Sequence, residues 1–229
     1  MRGMPPVAPS TKEQIVRAAE RLFAQHGIDG VSLRQIGAAA GNGNNSAVQY
    51  HFGSKDQLIQ AIFEYRLSRI HERRMLLIAE RRPSDLRAWV ECQLRALLEQ
   101  SEQPGSHYLR FVAMLHEYGR RDVFERLPEE YRDATRHLRE QIGAFLTHIA
   151  EPLRTHRISR AMVFVVHAAS DRERARADGR PVLPFAVEVE ALLDGLVGFL
   201  QAPVSPATVA ALGTPEATDP AGLTWPALL

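Results

Sequence analysis

Residues 41–53 read GNGNNSAVQYHFG, and this short stretch decides how the whole N-terminal region is interpreted. Glycine and asparagine accept left-handed backbone angles more readily than other residues, so the first four residues can form a tight turn. Asn45 or Ser46 can then cap a short helix in which Val48 and Phe52, four residues apart, face the core. The stretch therefore predicts a turn followed by a short helix. A polar surface loop between two helices is the alternative that it leaves open.

Three helix-start signals surround this stretch, each a serine or threonine followed three residues later by glutamate or glutamine, which is the pattern of a capping box. They are Ser10 with Glu13 or Thr11 with Gln14, Ser32 with Gln35, and Ser54 with Gln57. Behind each signal, apolar residues recur at helical spacing. The sets are Ile15, Ala18, Ala19, Leu22 and Phe23; Leu33, Ile36 and Ala40; and Leu58, Ile59, Ile62, Phe63, Leu67 and Ile70.

A helix, a turn and a short helix in this order form the helix-turn-helix pattern, whose second helix enters the DNA major groove with its N-terminal residues at the base edges. Asn45, Ser46 and Gln49 are polar and lie on the first turns of that helix. Asparagine and glutamine can pair bidentately with adenine. Double-stranded DNA is therefore the expected partner.

The segment from Thr11 to about Arg66 resembles the DNA-binding domain of the tetracycline-repressor (TetR) family of transcription regulators. The matching pieces are, in chain order, Ile15-x-x-Ala18-Ala19-x-x-Leu22-Phe23-x-x-x-Gly27, then VSLRQI at 31–36, then Ala40-Gly41, then YHFGSKD at 50–56 followed by Leu58. The resemblance implies an all-α fold in which an N-terminal three-helix helix-turn-helix domain is joined to a C-terminal helical ligand-binding and dimerisation domain. It also implies regulation of transcription, with repression the commoner behaviour.

The DNA-contacting residues that follow from the pattern and the resemblance are Ser32, Arg34, Gln35, Asn44, Asn45, Ser46, Gln49, Tyr50, His51 and Lys55. By resemblance, Ser32 and Lys55 hold phosphates, and both lie at predicted helix starts, where backbone N–H groups and the helix dipole favour anions. Two features depart from the family pattern. The turn is one residue longer than usual, which leaves the register of the recognition helix open by one position. Gln49 stands where the family has a tyrosine, so that tyrosine's phosphate contact either falls to Tyr50 or is lost.

Prolines divide the rest of the chain into segments long enough for helices of several turns, because proline breaks helix interiors. We predict a flexible N-terminus (1–10), a TetR-type helix-turn-helix domain (11–57), a helical effector-binding and dimerisation domain (58–200) and a mobile proline-rich tail (201–229). The charged connection at 171–180 is expected to be a solvated helix end and loop.

Two C-terminal segments are more apolar than one core face requires, and by resemblance they form a symmetric four-helix dimer interface. The residues assigned to it are Met162, Val166, Leu192, Leu193, Leu196 and Leu200. A central helix buried within a monomer is the alternative.

The helices between the two parts carry aromatic residues and methionine at helical spacing, which are usually core. By resemblance these helices enclose a cavity for a small-molecule effector that shifts the spacing of the two DNA-binding domains. The candidate ligand-binding residues are Trp89, Tyr108, Phe111, Met114, His116, Phe145 and His167.

The composition excludes several other classes of protein. The chain of 229 residues has one cysteine and no long apolar run, so we expect a cytoplasmic protein without a membrane span. The net charge of +1 resolves into +5 through Arg82 and −4 beyond it, a weak indication that the first part meets a polyanion. No catalytic motif, cofactor site or metal site is predicted. Two alternatives stay open: a metal-responsive regulator, because six of nine histidines lie in the C-terminal part, and a helical interaction protein without sequence-specific DNA binding.

Overall fold

The computed structural model describes residues 10–41 and 46–212, and within these ranges the chain is helical. The helices are α1 (Thr11–His26), α2 (Leu33–Ala39), α3 (Ser46–Phe52), α4 (Lys55–Arg81), α5 (Leu86–Ser101), α6 (Tyr108–Glu117), α7 (Arg121–Glu125), α8 (Glu129–Ala144), α9 (Leu153–Ala177), α10 (Phe185–Gln201) and α11 (Pro206–Leu212). The all-α fold predicted from the sequence is confirmed, with an N-terminal helix-turn-helix unit and a larger helical unit after it.

The helix starts follow the capping signals. Of the two candidates at α1, Ser10 is the N-cap, because Glu13 N donates to Ser10 Oγ (3.2 Å) and Ser10 N donates to Glu13 Oε2 (2.9 Å). Ser32 and Gln35 form the same reciprocal box at α2. At α4, Ser54 Oγ accepts from the backbone N–H of Gln57 at 3.2 Å. These bonds satisfy N–H groups that a helix start leaves without partners.

The first four helices share one apolar core. Phe23, Ile36, Val48 and Leu58 come from α1, α2, α3 and α4 in turn, and all are fully buried. The alternative of a polar surface loop at 41–53 is wrong for its second half, because α3 forms and buries Val48 and Phe52.

The larger unit is built around α6 and α9, which pack along each other, and α5, which lies against α4, α9 and α10. Helix α6 also packs on α1, so it joins the two units. The expectation for residues 171–180 is wrong in part: α9 continues to Ala177, and Arg172 and Glu173 are buried. Arg172 pairs with Glu102 (2.7 Å) and Glu188 (3.4 Å), and these partners allow the charge to lie inside.

Part of the stretch predicted as a mobile tail is helical. Ser205 Oγ accepts from Thr208 N at 3.2 Å, and Pro206 occupies the first position of α11. Serine as N-cap followed by proline is a helix-start signal that the proline count concealed. In the described ranges no single helix meets the length and apolarity needed to span a membrane, although α10 and α11 meet them together across a 62° bend.

Candidate functional site

The predicted recognition helix is α3, and its buried residues determine which face it presents. Val48 and Phe52 point into the core, so the intervening residues Gln49, Tyr50 and His51 are exposed. Tyr50 is 86% exposed, and its ring meets the ring of His51 edge to face, with centroids 5.2 Å apart. An exposed large aromatic side chain beside an imidazole on a helix end is available to a partner.

The start of α3 carries the other predicted base contacts. Asn44 and Asn45 lie outside the described residues, and Ser46 is the first residue of α3. Gln49 Nε2 donates to the carbonyl oxygen of Gly53 at 3.0 Å, so the amide must leave this bond to reach a base. Gly53 has a φ of +67°, which lets the chain turn from α3 into α4 without the strain of a side chain.

The predicted phosphate contacts lie at the starts of α2 and α4. Arg34 is exposed on the first turn of α2. Gln35 Oε1 accepts from both the backbone N–H and the hydroxyl of Ser32 at 2.8 Å, so its side chain is held in the cap. Lys55 Nζ donates to the carbonyl oxygen of Ile28 at 2.8 Å and ties the start of α4 to the loop after α1.

This geometry agrees with comparisons to known proteins. Residues 15–62 match the model of the family described as bacterial regulatory proteins, tetR family. The HTH-type transcriptional repressors AcnR of Corynebacterium efficiens and Corynebacterium glutamicum are each 32% identical over 63 residues, which is 28% of this chain. The N-terminal part of the chain is thus similar to the tetR family of bacterial regulatory proteins. The chain therefore matches about a third of the length of each AcnR.

Solved structures are similar in fold over most of the chain. A transcriptional regulator from Rhodococcus sp. Rha1 is 22% identical, with a TM-score of 0.52, over 86% of this chain and 100% of its own. AibR, solved in complex with isovaleryl coenzyme A and operator DNA, is 20% identical, with a TM-score of 0.51, over 85% of this chain and 100% of its own. At these identities the likeness shows the fold.

One carboxylate links the tetR-family segment to the larger unit. Glu20 on α1 accepts two hydrogen bonds from Arg66 on α4, with Nε–Oε2 at 2.6 Å and Nη2–Oε1 at 2.8 Å, and both side chains are buried. Burial alone would lower the pKa of Arg66, but its hydrogen bond and charge interaction with Glu20 raise it. Glu20 Oε1 also accepts from the backbone N–H of His107 at 2.9 Å, immediately before α6. No pattern in the sequence pointed to this pair.

A second carboxylate, from α9, reaches the same helix end. Glu173 on α9 is buried, and its Oε2 accepts from the backbone N–H of Arg110 at 3.0 Å. Burial and the nearby Glu20 raise the pKa of Glu173, the hydrogen bonds to the carboxylate lower it, and together they place it at about 7. The start of α6, which has no side-chain cap of its own, is therefore held by carboxylates from two distant helices.

The predicted ligand residues fall into three environments. Tyr108 and Phe111 are fully buried against Phe63 of α4, with ring centroids 6.1 and 5.7 Å away. The Tyr108 hydroxyl is buried without a hydrogen-bond partner in the described part of the chain, and burial raises its pKa. Met114 is buried, Trp89 is half-buried, and Phe145 is 37% exposed at the end of α8, outside the core that the others share.

The remaining two ligand candidates meet across α6 and α9. His116 Nδ1 and His167 Nε2 are 3.4 Å apart, and both rings are half-buried. Among the residues that the structure describes, no group of three or more histidine, cysteine, aspartate or glutamate side chains could hold a metal ion. The many histidines of the C-terminal part, which left a metal-responsive regulator open as an alternative, therefore comprise this pair and histidines dispersed elsewhere.

Five of the six residues assigned to the dimer interface are buried within the single chain. Met162, Val166, Leu193, Leu196 and Leu200 are each at most 7% exposed, so most of their surface is buried in the chain's own core, and the dimer interface assigned to them stays a prediction. On α9 and α10, apolar residues one or two positions away from these buried residues are exposed at the surface. A groove of about 370 Å³ runs between α9 and α10, lined by Arg160, Ala161, Phe164, Ala191, Leu192, Gly195, Leu196 and Phe199.

Sequence reasoning also missed a buried polar cluster between α4 and α5. Arg74 is 6% exposed; its Nη1 donates to Gln93 Oε1 at 3.1 Å and its Nη2 lies 2.9 Å from His71 Nδ1. Gln93 is 1% exposed, and its Nε2 has no partner among the described residues. The only available signal was an arginine in register with Ile70 and Leu77 on the buried face of α4.

Proposed function

We propose that the protein is a transcriptional repressor that binds a palindromic DNA operator as a homodimer in the cytoplasm and is released by a small-molecule effector. The α2–α3 unit carries this proposal, because it matches the tetR family and presents Gln49, Tyr50 and His51 outward. AibR supports the combination of operator and effector in one fold of this kind. Residues 11–57 act as the DNA-binding domain and 58–200 as the effector-binding and dimerisation domain, without catalytic activity.

Gln49, Asn45 and Ser46 read base edges in the major groove, while Lys55, Arg34 and Ser32 hold phosphates. Phosphate contacts set affinity and orientation, whereas base contacts set the sequence preference. Tyr50 takes the phosphate contact that a tyrosine one position earlier makes in the family, since it is the exposed tyrosine of α3.

The dimer forms through the groove between α9 and α10. Phe164 is 52% exposed and Phe199 is 46% exposed, and both line this groove. Large exposed aromatic side chains around an apolar groove favour burial against a second surface. A twofold dimer requires operator half-sites separated by one or more helical turns of DNA.

The effector signal passes through the junction at the start of α6. Glu20 and Arg66 connect α1 to α4, and the N–H of His107 connects the same carboxylate to α6. An effector that binds one arrangement of α4 and α6 more tightly shifts the population toward it, and the position of α1 changes with it.

Selection of genomic fragments bound by the full chain tests the function directly. Duplexes carrying the selected sequence are then titrated against random duplexes of equal length at several salt concentrations. We expect a palindromic site bound about 10³-fold or more tightly than random DNA, and two chains bound per site. Equal affinity for selected and random duplexes, or one chain per site, contradicts the proposal.

A further inference from the structure

Three arginines are buried in the described part of the chain, and one of them differs from the others in its partners. Arg66 is paired with Glu20, and Arg172 with Glu102 and Glu188. Arg74 has no aspartate or glutamate within ion-pair distance among the described residues; its partners are the neutral Gln93 amide and the His71 ring. A guanidinium that leaves water without a counterion destabilises the fold, so an anion that pairs with it would bind favourably.

The charge of Arg74 persists at neutral pH. Burial lowers the pKa of Arg74 to about 10, so the guanidinium is still protonated under physiological conditions. Burial and the nearby Arg74 lower the pKa of His71 more than the exposed Glu130 and Glu72 raise it, so this ring is neutral and able to accept at Nδ1. The cluster therefore holds one net positive charge.

The free hydrogen-bonding groups of the cluster are donors. Gln93 Oε1 accepts from Arg74, which orients the amide and leaves its Nε2 as a buried donor without a partner. The guanidinium has further N–H groups beyond the two that make these contacts. A set of donors around one positive charge matches the two oxygens of a carboxylate, which arginine binds bidentately.

The surroundings of this donor set are apolar. Ile70 and Leu77 lie one turn before and after Arg74, Val90 and Leu97 lie one turn from Gln93, and all four are buried. Toward the surface, the His71 ring contacts the half-buried Tyr131 of α8, with centroids 6.5 Å apart. An anion that reaches Arg74 past His71 and Tyr131 would place its apolar body between α4, α5 and α8.

We infer that the effector is a small organic acid whose carboxylate is bound by Arg74 and Gln93, with its apolar body between α4, α5 and α8. This inference rests on the proposed release of the operator by an effector and specifies the chemistry of that effector. Arg74 lies on the same helix as Arg66, so an anion that displaces α4 acts on the helix that carries the Glu20 junction.

The test uses a series of monocarboxylates from acetate to decanoate, with benzoate, and the matched primary amide of each. Binding to the full chain is measured by thermal shift and calorimetry without DNA. We expect at least one acid to bind, and its amide to bind about tenfold more weakly or worse, because the amide lacks the charge that Arg74 pairs with. An amide that binds as well as its acid, or the absence of binding by every acid, overturns the inference.

Two variants and a control locate the site. Arg74→Met is expected to lose acid binding, whereas Arg69→Met, which removes an exposed charge from the same helix, retains it. Gln93→Glu provides an internal carboxylate for Arg74, so this variant should fold and have a higher melting temperature than the wild type. It should also lose acid binding, which keeps the test valid even if Arg74→Met folds poorly. Acid binding that persists in Gln93→Glu overturns the inference.

The DNA readout separates this inference from the proposed function. If an acid binds at Arg74 but leaves operator affinity unchanged at saturation, the site stands and the proposed release fails. If operator release is produced only by neutral compounds, the release stands and the carboxylate site fails.

Discussion

Glu20 on α1 and Arg66 on α4 form a doubly hydrogen-bonded ion pair inside the protein, and the same carboxylate receives the backbone N–H of His107. One side chain thus joins α1 and α4 to the start of α6, across the boundary between the helix-turn-helix unit and the rest of the chain. Because both charges are removed from water, neither is tolerated without the other. This pair is one of the contacts that join the two units, beside the packing of α6 on α1.

Glu20→Gln leaves the Arg66 guanidinium buried without a counterion, so we expect it to lower the free energy of unfolding by about 3–5 kcal/mol. Urea unfolding at neutral pH measures the change. The control is Arg73→Met, which breaks the partly exposed pair with Glu99 (2.5 Å) and should cost at most about 1 kcal/mol. Equal losses in the two variants would show that the buried pair has no special role.

Gln49→Ala should reduce the discrimination between the operator and random DNA, because the amide is the exposed polar group of α3 that can reach a base edge. Each lost bidentate contact corresponds to about 1–3 kcal/mol of discrimination. Competition titrations with duplexes altered at single positions measure it. If the preference is unchanged at every position, α3 is turned by one residue from the register proposed.

Lys55→Ala should weaken binding to all duplexes alike and reduce the slope of log affinity against log salt by about one. The ammonium also donates to the Ile28 carbonyl, so unfolding must be measured alongside to show that the variant is folded. Arg176→Ala serves as the control, because it removes a surface charge near the end of α9. A salt slope that falls equally in both variants would mean that bulk charge, and not Lys55, is responsible.

Local signals in the sequence were sufficient for the helix-turn-helix unit. Ser10 and Ser32 cap α1 and α2, and Val48 and Phe52 are buried as their spacing predicted. Such features depend on residues three or four apart, which a sequence displays directly. The site of the Glu20–Arg66 contact could not be predicted in this way, since its partners are 46 residues apart and either charge alone resembles a surface residue.

The predicted dimer surface shows a second limit of sequence patterns. Leu193, Leu196 and Leu200 form the strongest apolar stripe on α10, and that stripe is turned into the chain's own core. The exposed residues Phe164 and Phe199 flank it and belong to the same bands. Hydrophobic periodicity identifies a helix with two apolar sides, but it does not show which side packs into the chain's own core.

Phe199→Glu should convert the dimer to a monomer, because it places a charge in the α9–α10 groove where a second copy would bury it. Sedimentation at micromolar concentration measures the change, and the unfolding of the monomer shows whether the fold is kept. Tyr118→Glu is the control, since Tyr118 is 70% exposed and does not line this groove. A wild-type chain that sediments as a monomer, or a Phe199→Glu variant that stays dimeric, places the interface elsewhere.

Glu173 makes stability depend on pH near neutrality. Its pKa is about 7 in the folded chain against an ordinary value of 4.5, so the folded state holds the proton more tightly. The resulting stabilisation is fully present below about pH 4.5 and is lost as the pH rises through about 7. Glu173→Gln keeps an oxygen that can accept from the Arg110 N–H but has no charge to desolvate, so it removes this dependence. As the pH rises from 5 to 8, we expect the free energy of unfolding of the variant to exceed that of the wild type by an increasing amount. The difference reaches about 3 kcal/mol, since each pKa unit corresponds to about 1.4 kcal/mol. Urea unfolding of both proteins across this range measures the difference. Parallel curves would show that the Glu173 carboxyl does not change protonation as the chain unfolds.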